Sequence, residues 1–392
     1  MPASGRSYVI AGAGIAGMTM ALALAKFGAT VVVLERNHTI QEFGAGLQIS
    51  PNARRILDRL GLGEALDRVS LEPNALDIYP QGHQHPLISM ELGAIMRERF
   101  GARYAVMHRA DLADVLCKAC RRFANIDILF GVRSWDVVTH ARGVTVAIDE
   151  ADGQSRTVRA NGFIGADGVH SQTRLSVLEG PAAQFRGRIA WRCLVPVDSM
   201  AGQIALDRVS VFFGSGFHLV CYPLPHRKQV NLALFMPGGM PKDGEQPRPA
   251  RPGQRVSTIL GAAGDGWTPW PMYTVDAPDW HQGNIGIIGD AAHAMVPFQA
   301  QGAAMGIEDA ATLAPLLAGT ETAETAMSRY AELRKPRIRR VAALSAENGR
   351  IFHMAWPLSM ARDAVMRLQG PRAHLRRLDW VYAHDVGDGP GA

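Results

Sequence analysis

The sequence predicts an α/β fold in which a domain opening with a βαβ unit is interrupted by a mainly antiparallel β-sheet and completed by helices. Three observations predict it. An apolar strand, a glycine turn and an Ala-rich helix lead into a second apolar strand at the N-terminus. Between Phe185 and Met236, β-branched and aromatic residues alternate as in Arg208-Val209-Ser210-Val211-Phe212-Phe213. The remainder after about Gly302 reads mostly as helix, ending in a loose Gly/Pro tail.

In chain order, the first strand is Tyr8 to Ala11, the helix runs to about Phe27, and the second strand is Thr30 to Glu35. Ser50-Pro51 opens a helix that stops at Gly61, with Ser as N-cap, Pro at the first position and Gly past the end. Another helix follows His108-Arg109-Ala110-Asp111. After the sheet, Pro237 to Gly253 is a loop or linker, and a strand follows near Ile285 to Ile288. Residues 1–72, 100–178 and 276–392 are expected to form the first domain, with 73–99 and 179–275 forming the second.

At 392 residues, 47% hydrophobic and 20% charged, the chain has the composition of a globular protein of two domains. The net charge of +5 favours phosphate-bearing or anionic small ligands. The run Arg334, Lys335, Arg337, Arg339 and Arg340 is read as a solvated helix face, because no nucleic-acid motif accompanies it. Four scattered cysteines do not make a disulfide framework, and the lone Cys117-x-x-Cys120 sits within an amphipathic helix, so no metal is expected. No segment reads as a membrane span, and the expected location is the cytoplasm.

Gly12-x-Gly14-x-x-Gly17 lies between the first strand and the first helix. There glycines permit a tight turn, approach of backbone to a pyrophosphate, and close helix packing. Ala16, within this constellation, and Arg36, next to Glu35, are also expected to bind the cofactor. Glu35, 23 residues after Gly12, ends the second strand where a carboxylate takes two ribose hydroxyls. The fingerprint alone does not separate NAD from FAD. Two further segments do: Gly165-Ala166-Asp167-Gly168-Val169-His170-Ser171, and Gly289-Asp290-Ala291-Ala292-His293-Ala294-Met295-Val296-Pro297 after a strand.

With these motifs the chain resembles the single-component FAD-dependent aromatic hydroxylases, the family of salicylate, 3-hydroxybenzoate and para-hydroxybenzoate hydroxylases, over nearly its whole length. The resemblance implies a Rossmann-type FAD-binding domain with an inserted substrate domain. It also implies a flavin C4a-hydroperoxide as oxidant, with NADH or NADPH visiting transiently. It assigns Glu35 to the adenosine ribose, Arg109 to the phosphates or ribityl chain, Asp290 to a ribityl hydroxyl, and Asp167 with Gly168 to the pyrophosphate and nicotinamide cofactor. Charge chemistry agrees, since carboxylates suit vicinal hydroxyls and guanidinium suits phosphate. Gly44-Ala45-Gly46-Leu47-Gln48 resembles the segment lining the isoalloxazine, with Gln48 meeting flavin or substrate. Backbone N–H groups at Gly302 and Ala303, after Pro297, would face the anionic pyrimidine side of reduced flavin.

On the sheet, His218 and Tyr222 stand four apart in Gly216-Phe217-His218-Leu219-Val220-Cys221-Tyr222-Pro223, so both face one pocket while Cys221 faces away. Family members carry a similar His-x-x-x-Tyr-Pro pattern. A phenol has a pKa near about 10 and histidine near about 6.5. His218 is therefore expected to act as base in a pocket that favours phenolate, with Tyr222 orienting the substrate or relaying the proton. His293 is expected to serve backbone geometry, and Arg192 either to meet a substrate carboxylate or to form a structural ion pair.

The function expected is hydroxylation of a small aromatic, carboxylate-bearing substrate with O2, by a monomer or homodimer with no nucleic-acid partner. Two rivals stay open. One is hydroxylation of an N-heterocyclic acid such as 6-hydroxynicotinate, although relatives of that type carry His at the Gln48 position. The other is a non-catalytic flavin-binding redox sensor. A flavin halogenase is disfavoured because Trp267-Thr268-Pro269-Trp270-Pro271 does not match the W-x-W-x-I-P motif.

Overall fold

The computed structural model describes residues 3–40, 46–319 and 322–387. Its first layer is a six-stranded sheet in the spatial order His281–Gln282, Ile285–Ile287, Gly162–Gly165, Ser7–Ala11, Thr30–Glu35 and Ile126–Phe130. All neighbours are parallel except the first pair. Crossover connections explain this order: a parallel neighbour needs a returning segment, and the helix Ile15–Lys26 supplies the first. That helix is apolar nearly all round, because it is sandwiched between the sheet and the helix Gly302–Gly319.

The glycine turn is enforced by close approach. Gly12 sits at φ +102°, and a Cβ there would fall 2.5 Å from the Ala166 carbonyl oxygen. A Cβ on Gly17 would fall 2.0 Å from the Gly12 carbonyl oxygen. A side chain at either position would push the first helix off the sheet.

The second layer is a seven-stranded sheet, ordered Thr268–Thr274, Gln184–Pro196, Gln229–Pro237, Phe217–Leu224, Val209–Gly214, Ala75–Tyr79 and Ile88–Glu91. It is antiparallel except where Val209–Gly214 meets Ala75–Tyr79. Its outer face packs Leu219, Cys221, Leu232 and Leu234 against the helix Gln254–Ala263 through Val256 and Ile259. The inner face, carrying His218, Val220, Tyr222 and Phe235, lines a cavity shared with the glycine turn after Ser7–Ala11. A three-stranded antiparallel sheet of Val132–His140, Gly143–Glu150 and Ser155–Ala160 lies beside the parallel sheet, and nothing in the sequence reading anticipated it.

The C-terminal helices are Ala323–Phe352, Leu358–Arg377 and Asp379–Tyr382. The solvated face expected for the basic run is corrected in part. Arg334 is 2% exposed and pairs with Glu308 and Asp309, and Arg337 also reaches Glu308. Two buried carboxylates on Gly302–Gly319 demanded cations at these positions. Cys117 and Cys120 are buried free thiols on the helix Arg109–Cys120. Among the described residues no helix is long and apolar enough to cross a membrane, and no cluster of metal-ligating side chains occurs.

Candidate active site

One cavity of about 1110 Å³ lies between the two layers, and it runs from the glycine turn to the inner face of the large sheet. Gly14, Ile15 and Ala16 line its nucleotide end, where the helix Ile15–Lys26 begins with no side-chain cap at Gly14. Backbone donors and the positive helix end therefore face the cavity, which is the chemistry a pyrophosphate needs. Gly168, Arg109, Asp290, Pro297, Gly302 and Ala303 line the same region. Asp290 is exposed at the start of Asp290–His293, and Arg109 opens the helix Arg109–Cys120. Gly302 and Ala303 form the first turn of Gly302–Gly319, so its N-terminus is presented to the cavity.

Glu35 stands beside the turn. One oxygen accepts from the Ala13 N–H at 3.1 Å, and the other accepts from the backbone and side chain of Asn37 at 2.9 and 2.8 Å. Arg36 is exposed and is not among the residues lining the cavity. Asp167 is not among the residues lining the cavity. Its carboxylate accepts from Ser171 Oγ at 2.6 Å and from Thr173 N and Oγ1 at 2.9 and 3.0 Å. The Asp therefore braces its own turn, while its neighbours Ala166 and Gly168 line the cavity.

Gly44 and Ala45 lie outside the described residues. Gly46 and Gln48 are on the strand Gly46–Ile49, and Gln48 lines the cavity and accepts a hydrogen bond from the Tyr104 hydroxyl. The Gly46 N–H donates to Asn231 Oδ1 at 2.7 Å, which ties this strand to the large sheet. A Cβ on Gly46 would fall 2.4 Å from the Tyr222 hydroxyl oxygen. Only glycine lets the two walls approach so closely.

His218 and Tyr222 are both buried on the strand Phe217–Leu224 and line the cavity's substrate end. Burial pushes the Tyr222 hydroxyl pKa up. The His218 ring stacks on Phe235 at 4.6 Å and meets the edges of Phe298 and Phe352. Burial first, then His353 and Arg188, hold its pKa well below the usual histidine value. Its Nδ1 lies 2.7 Å from Nε2 of His353, whose Nδ1 lies 2.7 Å from Arg188 Nη1. Neither His353 nor Arg188 carries a motif in the sequence. A lone His at a helix end has no periodicity to mark it.

Arg192 lines the cavity with its guanidinium 5.8 Å from the Trp270 ring, and its Nε has no hydrogen-bond partner among the described residues. His293 lies behind the site, with Nε2 2.6 Å from Asp309 Oδ2. The C-terminal helices close the cavity with Phe352, Arg362, Met366 and Tyr382. No motif in the sequence marks these four residues.

A family described as "FAD binding domain" matches residues 7–194 and 256–345. A 3-amino-4-hydroxybenzoate 2-monooxygenase of Streptomyces platensis is 33% identical, with 96% of each chain covered. A 3-hydroxybenzoate 6-hydroxylase of Aquipseudomonas alcaligenes is 30% identical over 97% of this chain and 98% of its own. A salicylate hydroxylase substrate complex superimposes with a TM-score of 0.78 at 26% identity, covering 98% of this chain and 97% of that one. Klebsiella pneumoniae HpxO complexed with FAD and uric acid shares the fold, with a TM-score of 0.82 at 22% identity over 100% and 99% of the two chains.

Proposed function

The chain belongs to the single-component FAD-dependent aromatic hydroxylases and is an FAD-dependent monooxygenase, and on that premise we propose that its substrate is a small hydroxybenzoate- or salicylate-like acid. The observation that carries this reading is the single cavity joining the capless helix start at Gly14 to His218, Tyr222 and Arg192. FAD bound along it supplies electron transfer from NADH or NADPH to O2 and delivery of one oxygen atom to the ring.

The residues present fit that cofactor. Glu35 suits the ribose hydroxyls, Arg109 the phosphates, Asp290 a ribityl hydroxyl, and the N–H groups at Gly302 and Ala303 the electron-rich ring edge. Beyond the flavin, Val211, Val220 and Phe235 offer flat apolar walls. The Arg192 Nε, buried without a partner among the described residues, matches a substrate carboxylate, which accepts two parallel N–H donors. The enclosing sheet and C-terminal helices keep water from the reacting centre. Four free, buried cysteines fit a reducing compartment such as the cytoplasm.

The test uses the purified yellow holoenzyme. NADH and NADPH oxidation is followed with salicylate, 3-hydroxybenzoate, 3-amino-4-hydroxybenzoate and 6-hydroxynicotinate, with product and peroxide quantified. Stimulation of about tenfold or more by a benzoate, matched by hydroxylated product, supports the reading. Preference for the pyridine acid, peroxide without product, or no stimulation by any of them overturns it.

A further inference from the structure

Three side chains behind the substrate wall form one line of hydrogen bonds. Arg188 Nη1 lies 2.7 Å from His353 Nδ1, and His353 Nε2 lies 2.7 Å from His218 Nδ1. A guanidinium has donors and no acceptor, so His353 Nδ1 accepts. A neutral imidazole carries a single N–H, which places the His353 hydrogen on Nε2 and makes it the donor to His218 Nδ1. The hydrogen of neutral His218 is then on Nε2, the nitrogen not engaged by His353, and His218 lines the cavity.

We propose that Arg188 and His353 are positioning residues that fix His218 as an Nε2–H donor toward an anionic oxygen of the aromatic acid. This rests on the substrate reading above, and it replaces the base role expected from the sequence. A ring whose free nitrogen already bears hydrogen has no lone pair there to take a phenolic proton. The alternative His218 tautomer would require Nδ1 to donate to His353. His353 would then need to accept at both ring nitrogens, which a neutral imidazole cannot do. Protonating either ring instead is opposed by burial and by the adjacent Arg188 charge. Phe235 stacked on the His218 ring, with Phe298 and Phe352 at its edge, holds the ring plane along this line.

The first arm is 15N NMR of the FAD-bound enzyme labelled at histidine, with signals assigned through His218→Gln and His353→Gln. Protonated and unprotonated ring nitrogens differ widely in shift. The expected spectrum has His218 protonated at Nε2 and bare at Nδ1, and Arg188→Met mixes the two tautomers. A His218 protonated at Nδ1 in the parent enzyme overturns the proposal. The second arm titrates salicylate and 3-hydroxybenzoate by flavin absorbance. His218→Gln keeps an N–H donor but no base, so it should weaken acid binding at least about threefold less than His218→Leu does. His218→Leu should lose affinity about tenfold or more, the scale of a hydrogen bond to a charged group. A Gln variant as impaired as the Leu variant, with FAD retained in both, also overturns the proposal. The NMR arm needs no aromatic acid. The expected spectrum together with a failed acid screen would therefore sink the substrate reading and still support the tautomer assignment.

Discussion

His293 and Asp309 are joined through Nε2 and Oδ2 at 2.6 Å, and the same carboxylate oxygen accepts from the Gly289 N–H at 2.9 Å. This contact fastens the Gly289–Asp290 turn to the helix Gly302–Gly319, two segments that both line the cofactor end of the cavity. The other oxygen of Asp309 accepts from Arg334 Nε at 2.8 Å. Burial alone would raise the Asp309 pKa, but the charges of His293 and Arg334 outweigh it and hold the carboxyl below the usual range.

Asp309→Ala therefore leaves Arg334 with half of its buried countercharge. The expected loss is about 3–5 kcal/mol, the cost of breaking a buried pair from one side. Chemical unfolding of the apoprotein measures that loss, and ultrafiltration of the holoprotein should show faster flavin release. A variant as stable as the parent would mean that Glu308 alone neutralises Arg334.

How much of this was legible in the sequence depends on the range of each interaction. The glycine turn, Glu35 and the Gly289–Asp290 segment are local patterns whose chemistry lies within a few residues; Gly14, Gly289 and Asp290 line one cavity, and Glu35 accepts from Ala13 beside it. His218 and Tyr222 follow from strand alternation, which also puts Cys221 on the opposite face. Asp167 is ambiguous in the sequence because an Asp beside Gly serves a turn and a ligand equally well. The structure shows its carboxylate in three contacts within its own turn. His353 and Arg188 stay silent because His353 meets His218 across 135 residues and Arg188 across 165. No period encodes such a meeting.

Gly46→Ala should damage the substrate end while sparing FAD binding at the glycine turn. The added methyl would stand 2.4 Å from the Tyr222 hydroxyl oxygen and 2.5 Å from a ring carbon. Overpacking of this kind costs about 1–3 kcal/mol. A drop of about tenfold or more in kcat/KM is expected, with a flavin content unchanged from the parent. Tyr222→Phe removes only the oxygen, so the double variant should recover part of the loss but not all of it. Full recovery would show that the ring itself is not pressed.

Arg192→Met should discriminate by substrate charge. If the orphaned Nε receives a carboxylate, its loss raises KM for benzoates about tenfold or more, the scale of a charge-assisted hydrogen bond. For a phenol lacking the carboxylate, KM should change by less than about twofold. Equal losses for both substrates would point instead to a packing role against Trp270.

Acid should destabilise the protein before its carboxylates begin to titrate. His218 and His353 are both held neutral by burial, the latter with its pKa brought down to about 3. In the unfolded chain each has the ordinary value of 6.5. Below that value the unfolded state binds more protons than the folded one, so stability falls as pH falls. The slope is up to about 1.4 kcal/mol per pH unit for each ring. The window opens near 6.5. Asp309 and Glu308, whose pKa values are held low in the folded state, add their own loss only once pH approaches the carboxylate range. Urea unfolding of the apoprotein between about pH 7 and about pH 5 isolates the histidine contribution. His353→Gln should reduce the slope there, with His218 and His384, also held below 6.5 in the folded state, supplying the remainder. A parent protein with flat stability across that interval would mean that the two rings are not buried neutral together, and the hydrogen-bond line from Arg188 to His218 would lose its energetic basis.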